Sequence, residues 1–249
     1  MKRINLSVIA FFFAFCGVLA NDTVRVACVG NSITFGHGIK DRAHDSYPAQ
    51  LGALLGKNYE VRNFGVSART LLNKGDHPYM NEQAYREALI FQPGIVVIKL
   101  GTNDSKPHNW KYASEFRDDL RTLVRTFQVL ASHPKIYLCL PIPGENKGWG
   151  IRDSVIVAGV IPCIRDFAQE QGIPVIDLYT LLTPYRHLLP DGVHPNVEGA
   201  SIIAKEVARV IKADEKAGIG KGAKDRHLRK GMKSKRQSGN KKTKKTENE

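Results

Sequence analysis

The chain has 249 residues, enough for one large domain with a sizeable buried core. Hydrophobic residues make up 42% and charged residues 24%, which excludes a fibrous protein and a chain disordered over most of its length. The formal net charge of +13 is uneven, because residues 212–249 hold 14 Lys or Arg against 5 Asp or Glu, a net of +9. The body of the chain is therefore nearly neutral.

The N-terminal segment has the pattern of a secretory signal peptide. Two basic residues precede an apolar run from Val8 to Ala20, which ends in small or apolar residues. The run is too short to cross a bilayer comfortably, and the alternative is a buried N-terminal helix. Phe15 precedes Cys16 where lipoprotein processing requires a small residue, which disfavours a lipoprotein. Residues 1–20 are predicted to be cleaved after Ala20 from a secreted or periplasmic protein.

Short β-rich runs alternate with longer helical patterns between residues 21 and 211. The predicted strands cover residues 24–30, 58–63, 94–100, 135–140 and 173–177. The predicted helices cover residues 47–55, 81–91, 114–131, 154–171 and 197–211. This alternation is typical of βαβ units with right-handed crossovers. It predicts an α/β fold, a three-layer αβα sandwich around a five-stranded parallel, flavodoxin-like sheet.

Beyond Ile211 the helical pattern ends, and Lys, Gly, Arg and Ser dominate. Few apolar residues remain, so residues 212–249 are predicted to be a disordered Lys-rich tail. Such a tail could contact an anionic polymer by neutralising its charge. It lacks interleaved aromatic residues for stacking on bases, so no specific nucleic acid is predicted as a partner. The alternative is a solvated tail without a specific partner.

Three cysteines follow the predicted signal peptide: Cys28, Cys139 and Cys163. Their spacing shows no CxxC pair and no Cys/His ligand pattern. They are interpreted as small buried side chains, and whether two of them form a disulfide stays open. Neither a metal nor a cofactor is predicted.

Polar motifs follow each predicted strand. GNSITFG follows the first, NFGVSART the second, GTND the third and PIPGENKGWG the fourth, while DGVHPN lies between the fifth strand and the last helix. Ligands of open α/β sheets bind beyond the carboxyl ends of the strands. All these motifs are therefore predicted to meet at one edge of the sheet.

Two of the motifs suggest nucleophilic catalysis. Ser32 lies just past the first strand, and its hydroxyl needs an adjacent base to become a nucleophile. His194 can supply that base, and Asp191, three residues earlier, can orient its imidazole. Read singly, Ser32 fits a helix cap and the Asp191–His194 segment fits a turn that begins a helix.

Acyl transfer also needs donors for a developing oxyanion. Asn103 can offer a side-chain amide, Gly65 a backbone N–H at a close approach, and Ser32 its own N–H. Each also has a simpler interpretation, since Asn and Gly are common in turns. Four such segments in this order at one sheet edge favour a shared site.

These segments resemble the SGNH hydrolases, also called GDSL-type esterases and lipases, over about residues 24–211. GNSIT is similar to the block that holds the nucleophile, NFG and GTND to the oxyanion blocks, and DGVHP to the block with Asp191 and His194. Asn31 stands where the family name implies Asp. The resemblance implies metal-independent ester hydrolysis with Ser32, Asp191 and His194 as catalytic residues and Ser32, Gly65 and Asn103 in the oxyanion hole.

The substrate is predicted to be an acylated small molecule or glycan, because the loops around the site are polar and charged. The favoured function is hydrolysis of short, O-acetyl esters on carbohydrates, and the chain resembles secreted bacterial sialate O-acetylesterases. Trp149 is a candidate sugar platform, and Arg69 a candidate contact for a sugar acid. The alternatives are a lipid-directed acylhydrolase or lysophospholipase, and a polyanion-binding protein that acts through its tail.

Overall fold

The computed structural model describes residues 23–145 and 147–217, and its centre is a single sheet of five parallel strands in the order β2-β1-β3-β4-β5. The strands are β1 (Val24–Gly30), β2 (Tyr59–Gly65), β3 (Ile95–Lys99), β4 (Lys135–Cys139) and β5 (Val175–Ile176). Each overlaps a predicted strand, so the flavodoxin-like sheet is confirmed. The predicted signal peptide lies outside the described residues, as does the predicted tail from residue 218 onward.

Helices connect the strands and cover both faces of the sheet. They are α1 (Ser32–Phe35), α2 (Arg42–Asp45), α3 (Tyr47–Leu55), α4 (Gln83–Ile90), α5 (Pro107–Trp110), α6 (Phe116–Gln128), α7 (Asp153–Val155), α8 (Ile161–Gln171), α9 (Leu178–Leu182) and α10 (197–217). A π-helical turn, Ile156–Val160, joins α7 to α8. Short 3₁₀ turns occur at Tyr79–Asn81, Asn103–Ser105, Ala113–Glu115 and Thr183–Leu188. Within the described part of the chain, no helix is long and apolar enough to cross a membrane.

The central strand β3 explains the three layers. All 5 of its residues are buried, and successive side chains point to opposite faces of the sheet. Val96 and Ile98 enter a core with residues of α4, α6 and α8. Ile95 and Val97 enter a second core with residues of α3 and α10. The sheet is thus covered on both sides.

The last helix corrects one predicted boundary. Residues 212–217 continue α10 instead of beginning a disordered tail. Lys212 Nζ donates a hydrogen bond to the Leu54 carbonyl oxygen (2.7 Å), and Lys135 Nζ lies 2.8 Å from a carboxylate oxygen of Asp214. These polar contacts hold the final turns of α10 against the domain. The Lys-rich composition of the segment does not indicate them.

The prediction of buried cysteines is confirmed for two of the three. Cys28 and Cys139 are buried and Cys163 is half-buried. All three are free thiols, which answers the open question of a disulfide among them.

Lys99 is a wholly buried basic residue. It ends β3, its side chain is wholly buried, and Nζ donates to Thr102 Oγ1 at 3.3 Å. Burial lowers the pKa of this lysine to about 7 because a charged ammonium loses its hydration there. A buried cation with a single neutral partner costs folding free energy.

We therefore expect Lys99→Met to raise the free energy of unfolding at pH 7 by about 1 kcal/mol or more. Between pH 7 and about 10.4 the unfolded lysine binds a proton that the folded one does not, so wild-type stability rises with pH and the gap narrows. Urea unfolding across this pH range measures both effects, with exposed Lys57→Met as the control. A less stable Lys99→Met protein at pH 7 would contradict the expectation.

Candidate active site

Ser32 is held at the carboxyl edge of the sheet by a tight turn after β1. A Cβ atom on Gly30 would lie 2.1 Å from Thr34 Oγ1 and 2.7 Å from the Lys99 carbonyl oxygen, so only glycine fits there. Asn31 caps α1, and its Oδ1 accepts a hydrogen bond from the Ile33 N–H (3.2 Å). Ser32 is therefore the first residue of a short helix.

The structure brings the three predicted catalytic side chains into one hydrogen-bonded chain. His194 Nε2 lies 2.8 Å from Ser32 Oγ, and His194 Nδ1 lies 2.6 Å from Asp191 Oδ2. The other carboxylate oxygen, Asp191 Oδ1, accepts the backbone N–H groups of Val193 (3.0 Å) and His194 (2.8 Å). Because Asp191 is fixed by these contacts, it can set both the orientation and the tautomer of the imidazole.

Burial and hydrogen bonding set the charges of this chain of residues. Burial lowers the pKa of His194 below its ordinary value and outweighs the opposite effect of Asp191. Burial also opposes ionisation of Asp191, but hydrogen bonds from His194 and Val193 lower its pKa overall. A neutral imidazole beside an ionised carboxylate is the state that can accept a proton from the Ser32 hydroxyl.

Asn103 lies beside the hydrogen-bonded catalytic side chains, in the 3₁₀ turn that follows β3. Its Nδ2 donates to the Arg69 carbonyl oxygen (3.1 Å), which leaves a second N–H on the same amide nitrogen. Asn109 Nδ2 donates to the Asn103 carbonyl oxygen (2.9 Å) and holds the turn. Asn103 and Ser32 line the same cavity, as the sequence predicts.

Gly65 does not reach that cavity, which corrects its predicted place in the oxyanion hole. It ends β2, and its N–H donates to Asn63 Oδ1 at 2.9 Å. A Cβ atom on Gly65 would lie 2.3 Å from the Phe35 nitrogen. The glycine is required for close packing of β2 against α1, so the prediction of a close approach is confirmed while the predicted role is not.

Ala68, three residues further along, lies where Gly65 was expected. It lines the cavity with Ser32 and Asn103, and its φ of 68° is in the left-handed region that non-glycine residues rarely adopt. No group in the described part of the chain accepts a hydrogen bond from its N–H. Sequence reasoning missed this residue because alanine gives no sign of such a backbone conformation.

The cavity around Ser32 is small and partly apolar. Its volume is about 100 Å³, and Ile151 and Val193 form an apolar wall. Trp149 lies at the rim with 43% of its surface exposed, and its ring centroid is 5.2 Å from that of His194. The structure thus places Trp149 beside the predicted catalytic residues.

Arg69, the other predicted substrate contact, does not line the cavity. Its Nε donates to Glu82 Oε1 (2.8 Å), and an Nη donates to the Ser67 carbonyl oxygen (2.7 Å). This corrects the expectation of a sugar-acid contact, because the guanidinium is already paired. Lys106, in contrast, lines the cavity.

His37, Asp191 and His194 are a group that could hold a metal ion, with ligand atoms within 4.8 Å of one another. Two of the three already take part in the hydrogen bonds to Ser32 and within the Asp191–His194 pair. An ion there would compete with those bonds, and the absence of a metal requirement stays a prediction.

A larger groove of about 740 Å³ runs beside edge strand β2 and α4, away from Ser32. Arg25 and Phe91 contribute to its walls, with a guanidinium carbon 5.7 Å from the ring centroid. Its lining contains no serine, cysteine or histidine, so the smaller cavity is the candidate active site.

Comparison with known proteins places this site in a family. The chain is 48% identical over 209 residues to an acetylxylan esterase of Xylanibacter ruminicola, a match that covers 77% of this chain. The chain spans only 44% of that relative's length.

Solved structures share the fold. A lipase/acylhydrolase from Enterococcus faecalis matches with a TM-score of 0.63 at 23% identity, over 77% of this chain and 96% of its own. A carbohydrate acetylesterase from Sinorhizobium meliloti matches with a TM-score of 0.62 at 20% identity, over 76% and 99%.

The model of the GDSL-like Lipase/Acylhydrolase family matches residues 28–202, a range that includes Ser32, the Asn103 turn and the Asp191–His194 segment. The chain belongs to the GDSL-like Lipase/Acylhydrolase family.

Proposed function

We propose that this chain is a serine carboxylic ester hydrolase that removes acetyl groups from carbohydrates. The observation that carries the proposal is the continuous chain of hydrogen bonds from Ser32 through His194 to Asp191. A serine joined to a buried, correctly oriented imidazole is an activated nucleophile. The family match and the acetylxylan esterase relative support the same reaction class.

In the proposed mechanism, Ser32 Oγ attacks the ester carbonyl carbon while His194 Nε2 takes the hydroxyl proton. The tetrahedral intermediate then collapses, His194 returns the proton to the leaving alcohol, and the acyl group remains on Ser32. A water molecule then attacks the acyl carbon while His194 Nε2 takes its proton. The bond from this carbon to Ser32 Oγ breaks, and His194 returns the proton to Ser32 Oγ as the carboxylic acid leaves. The proposed oxyanion donors are the N–H groups of Ser32 and Ala68 and the Asn103 amide.

Replacing the nucleophile tests this proposal directly. We expect Ser32→Ala to lower kcat for p-nitrophenyl acetate by at least about 10³-fold, because no covalent intermediate can form. Exposed Ser114→Ala is the matched control and should keep full activity. A fluorophosphonate probe should label the wild type and not Ser32→Ala. Wild-type turnover by Ser32→Ala would overturn the assignment.

The pH dependence follows from the lowered pKa of His194. Activity requires the neutral imidazole, so we expect kcat/KM to fall only below about pH 6.5. In Asp191→Asn the contribution that raises this pKa is lost, so the acid limb should move to lower pH while kcat falls by about 10²–10⁴-fold. Rate profiles from pH 4 to 9 measure both changes. A limb that moves to higher pH in Asp191→Asn would contradict this account.

The size of the cavity supports a short acyl group. Its volume of about 100 Å³ is well below the roughly 300–1,000 Å³ of pockets that take drug-sized ligands. Ile151 and Val193 can contact an acetyl methyl group, whereas a long acyl chain would have to displace this wall. The cavity therefore favours an acetylesterase over the alternative of a lipid-directed acylhydrolase.

Trp149 supports a carbohydrate as the alcohol part of the substrate. An exposed aromatic ring beside the catalytic imidazole offers a flat apolar surface to a sugar ring, with polar groups around it. Because Arg69 is paired with Glu82, the argument for an acidic sugar is weakened. We propose acetylated neutral polysaccharides such as acetylxylan ahead of acetylated sialic acids.

A substrate panel tests this choice. We expect acetyl esters to be hydrolysed at least tenfold faster than octanoyl esters, and acetate release from acetylxylan to exceed release from O-acetylated sialic acid. Trp149→Ala should raise KM for acetylxylan while p-nitrophenyl acetate hydrolysis changes little, because only the glycan needs the ring. Exposed Tyr185→Ala is the aromatic control. Preference for octanoyl esters would overturn the carbohydrate assignment.

The remaining proposals concern residues outside the described ranges. The signal-like pattern of residues 1–20 supports a secreted or periplasmic location, where acetylated polysaccharides are accessible. The basic composition of residues 218–249 supports contact with an anionic polymer.

A further inference from the structure

We infer that Arg69 is a positioning residue for the oxyanion hole: its side chain orients and polarises the peptide group between Ser67 and Ala68. This inference rests on the proposed function, because an oxyanion hole is needed only if the protein catalyses acyl transfer. The contacts of the Arg69 guanidinium and of its backbone carbonyl carry it.

Arg69 fixes the direction of the peptide group between Ser67 and Ala68. Arg69 donates a hydrogen bond of 2.7 Å to the Ser67 carbonyl oxygen. The described peptide bonds are all trans, and in a trans peptide the C=O and the following N–H point in opposite directions. The Ala68 N–H therefore points away from the guanidinium, and Ala68 lines the cavity that contains Ser32.

The positive charge of Arg69 also acts on this peptide group. A hydrogen bond from a cation to a carbonyl is stronger than one from a neutral donor, and hydrogen bonds in a chain polarise one another. The charge of Arg69 at the Ser67 oxygen makes the N–H of the same peptide a better donor. An oxyanion on the other side of that peptide would gain from this polarisation.

Glu82 holds the Arg69 guanidinium in place. Glu82 Oε1 accepts a hydrogen bond from Arg69 Nε at 2.8 Å and lies 2.7 Å from an Nη of the same guanidinium. Both side chains are only about one quarter exposed, at 25% and 26%, so solvent competes less than at the surface. Glu82 also precedes α4 as its N-cap residue, which ties the pair to a helix.

The backbone at Ala68 is strained and is held from both sides. Ala68 has a φ of 68°, which persists only where its surroundings enforce it. On the C-terminal side, Asp104 accepts the N–H groups of Leu71 (3.1 Å) and Leu72 (2.8 Å). On the N-terminal side, Arg69 holds the Ser67 carbonyl.

Arg69 contacts both oxyanion elements that come from outside β1 and α1. Its side chain binds the peptide that carries the Ala68 N–H, and its carbonyl oxygen accepts from Asn103 Nδ2 at 3.1 Å. A simple surface ion pair with Glu82 would need neither contact. Loss of the side chain removes the contact with the Ser67 carbonyl and keeps the backbone contact with Asn103. The loss should therefore act on the transition state through the Ala68 N–H and not on the affinity for substrate.

The kinetic test compares Arg69→Met, Arg69→Lys and Glu82→Gln. For p-nitrophenyl acetate we expect Arg69→Met to lower kcat by about 10- to 100-fold, less than the roughly 10²–10³-fold cost of deleting an oxyanion donor, with little change in KM. Arg69→Lys should recover part of the loss, because an ammonium can reach one acceptor but not hold both in a fixed fork. Glu82→Gln should give a smaller loss than Arg69→Met.

The control is Arg209→Met, which breaks an exposed ion pair with Glu206 on α10 and should keep wild-type kcat. A boronic acid that forms a tetrahedral adduct on Ser32 should bind Arg69→Met more weakly by the same factor as the loss in kcat/KM. Unchanged kcat in Arg69→Met, or a loss confined to KM, would overturn the inference. If Arg69→Met does not fold, Arg69→Lys and Glu82→Gln are judged by the same criterion. An unchanged kcat in both variants, or a loss confined to KM, would overturn the inference.

A second readout does not need activity. The amide proton resonance of Ala68 in the resting protein should move upfield in Arg69→Met and stay in place in Arg209→Met, because a less polarised N–H is more shielded. If the wild type hydrolyses no ester, the proposed function fails while this measurement still decides the inference. An Ala68 resonance that does not respond to Arg69→Met would overturn it.

Discussion

The hydrogen bond between Ser32 and His194 connects two ends of the folded domain. Ser32 follows the first strand and His194 precedes the last helix, so 162 residues separate them along the chain. The strands β2 to β5 lie between them along the chain, so the bond depends on the folded sheet. The close packing of Gly30 and Gly65 around α1 serves this constraint, because a side chain at either position would displace the turn that carries Ser32.

Local patterns were sufficient to predict the architecture. The strongest evidence was the apolar run that became β3, since a strand buried on both faces is apolar at consecutive positions. The short helices α1, α2, α5 and α9 were not predicted, because four or five residues carry no measurable periodicity. The last turns of α10 were also missed, since an ion pair and a hydrogen bond to a backbone carbonyl hold them against the domain.

The site was predictable where residue type alone determines chemistry. Ser32, His194, Asp191 and Asn103 carry functional groups that few other side chains replace, and they meet as expected. Ala68 was not predictable, because its contribution is a backbone N–H and a positive φ. Arg69 was chosen for its charge, but the sequence could not show that its guanidinium would pair with Glu82, 13 residues later.

The anchoring of α10 has a consequence for how the domain is presented. Lys135 begins β4, and its partner Asp214 is close to the end of the described chain. Because all strands are parallel, this is the edge of the sheet opposite to the one that carries Ser32. A solid support or a binding module joined to the domain directly at residue 217 would therefore attach at the edge of the sheet opposite to Ser32.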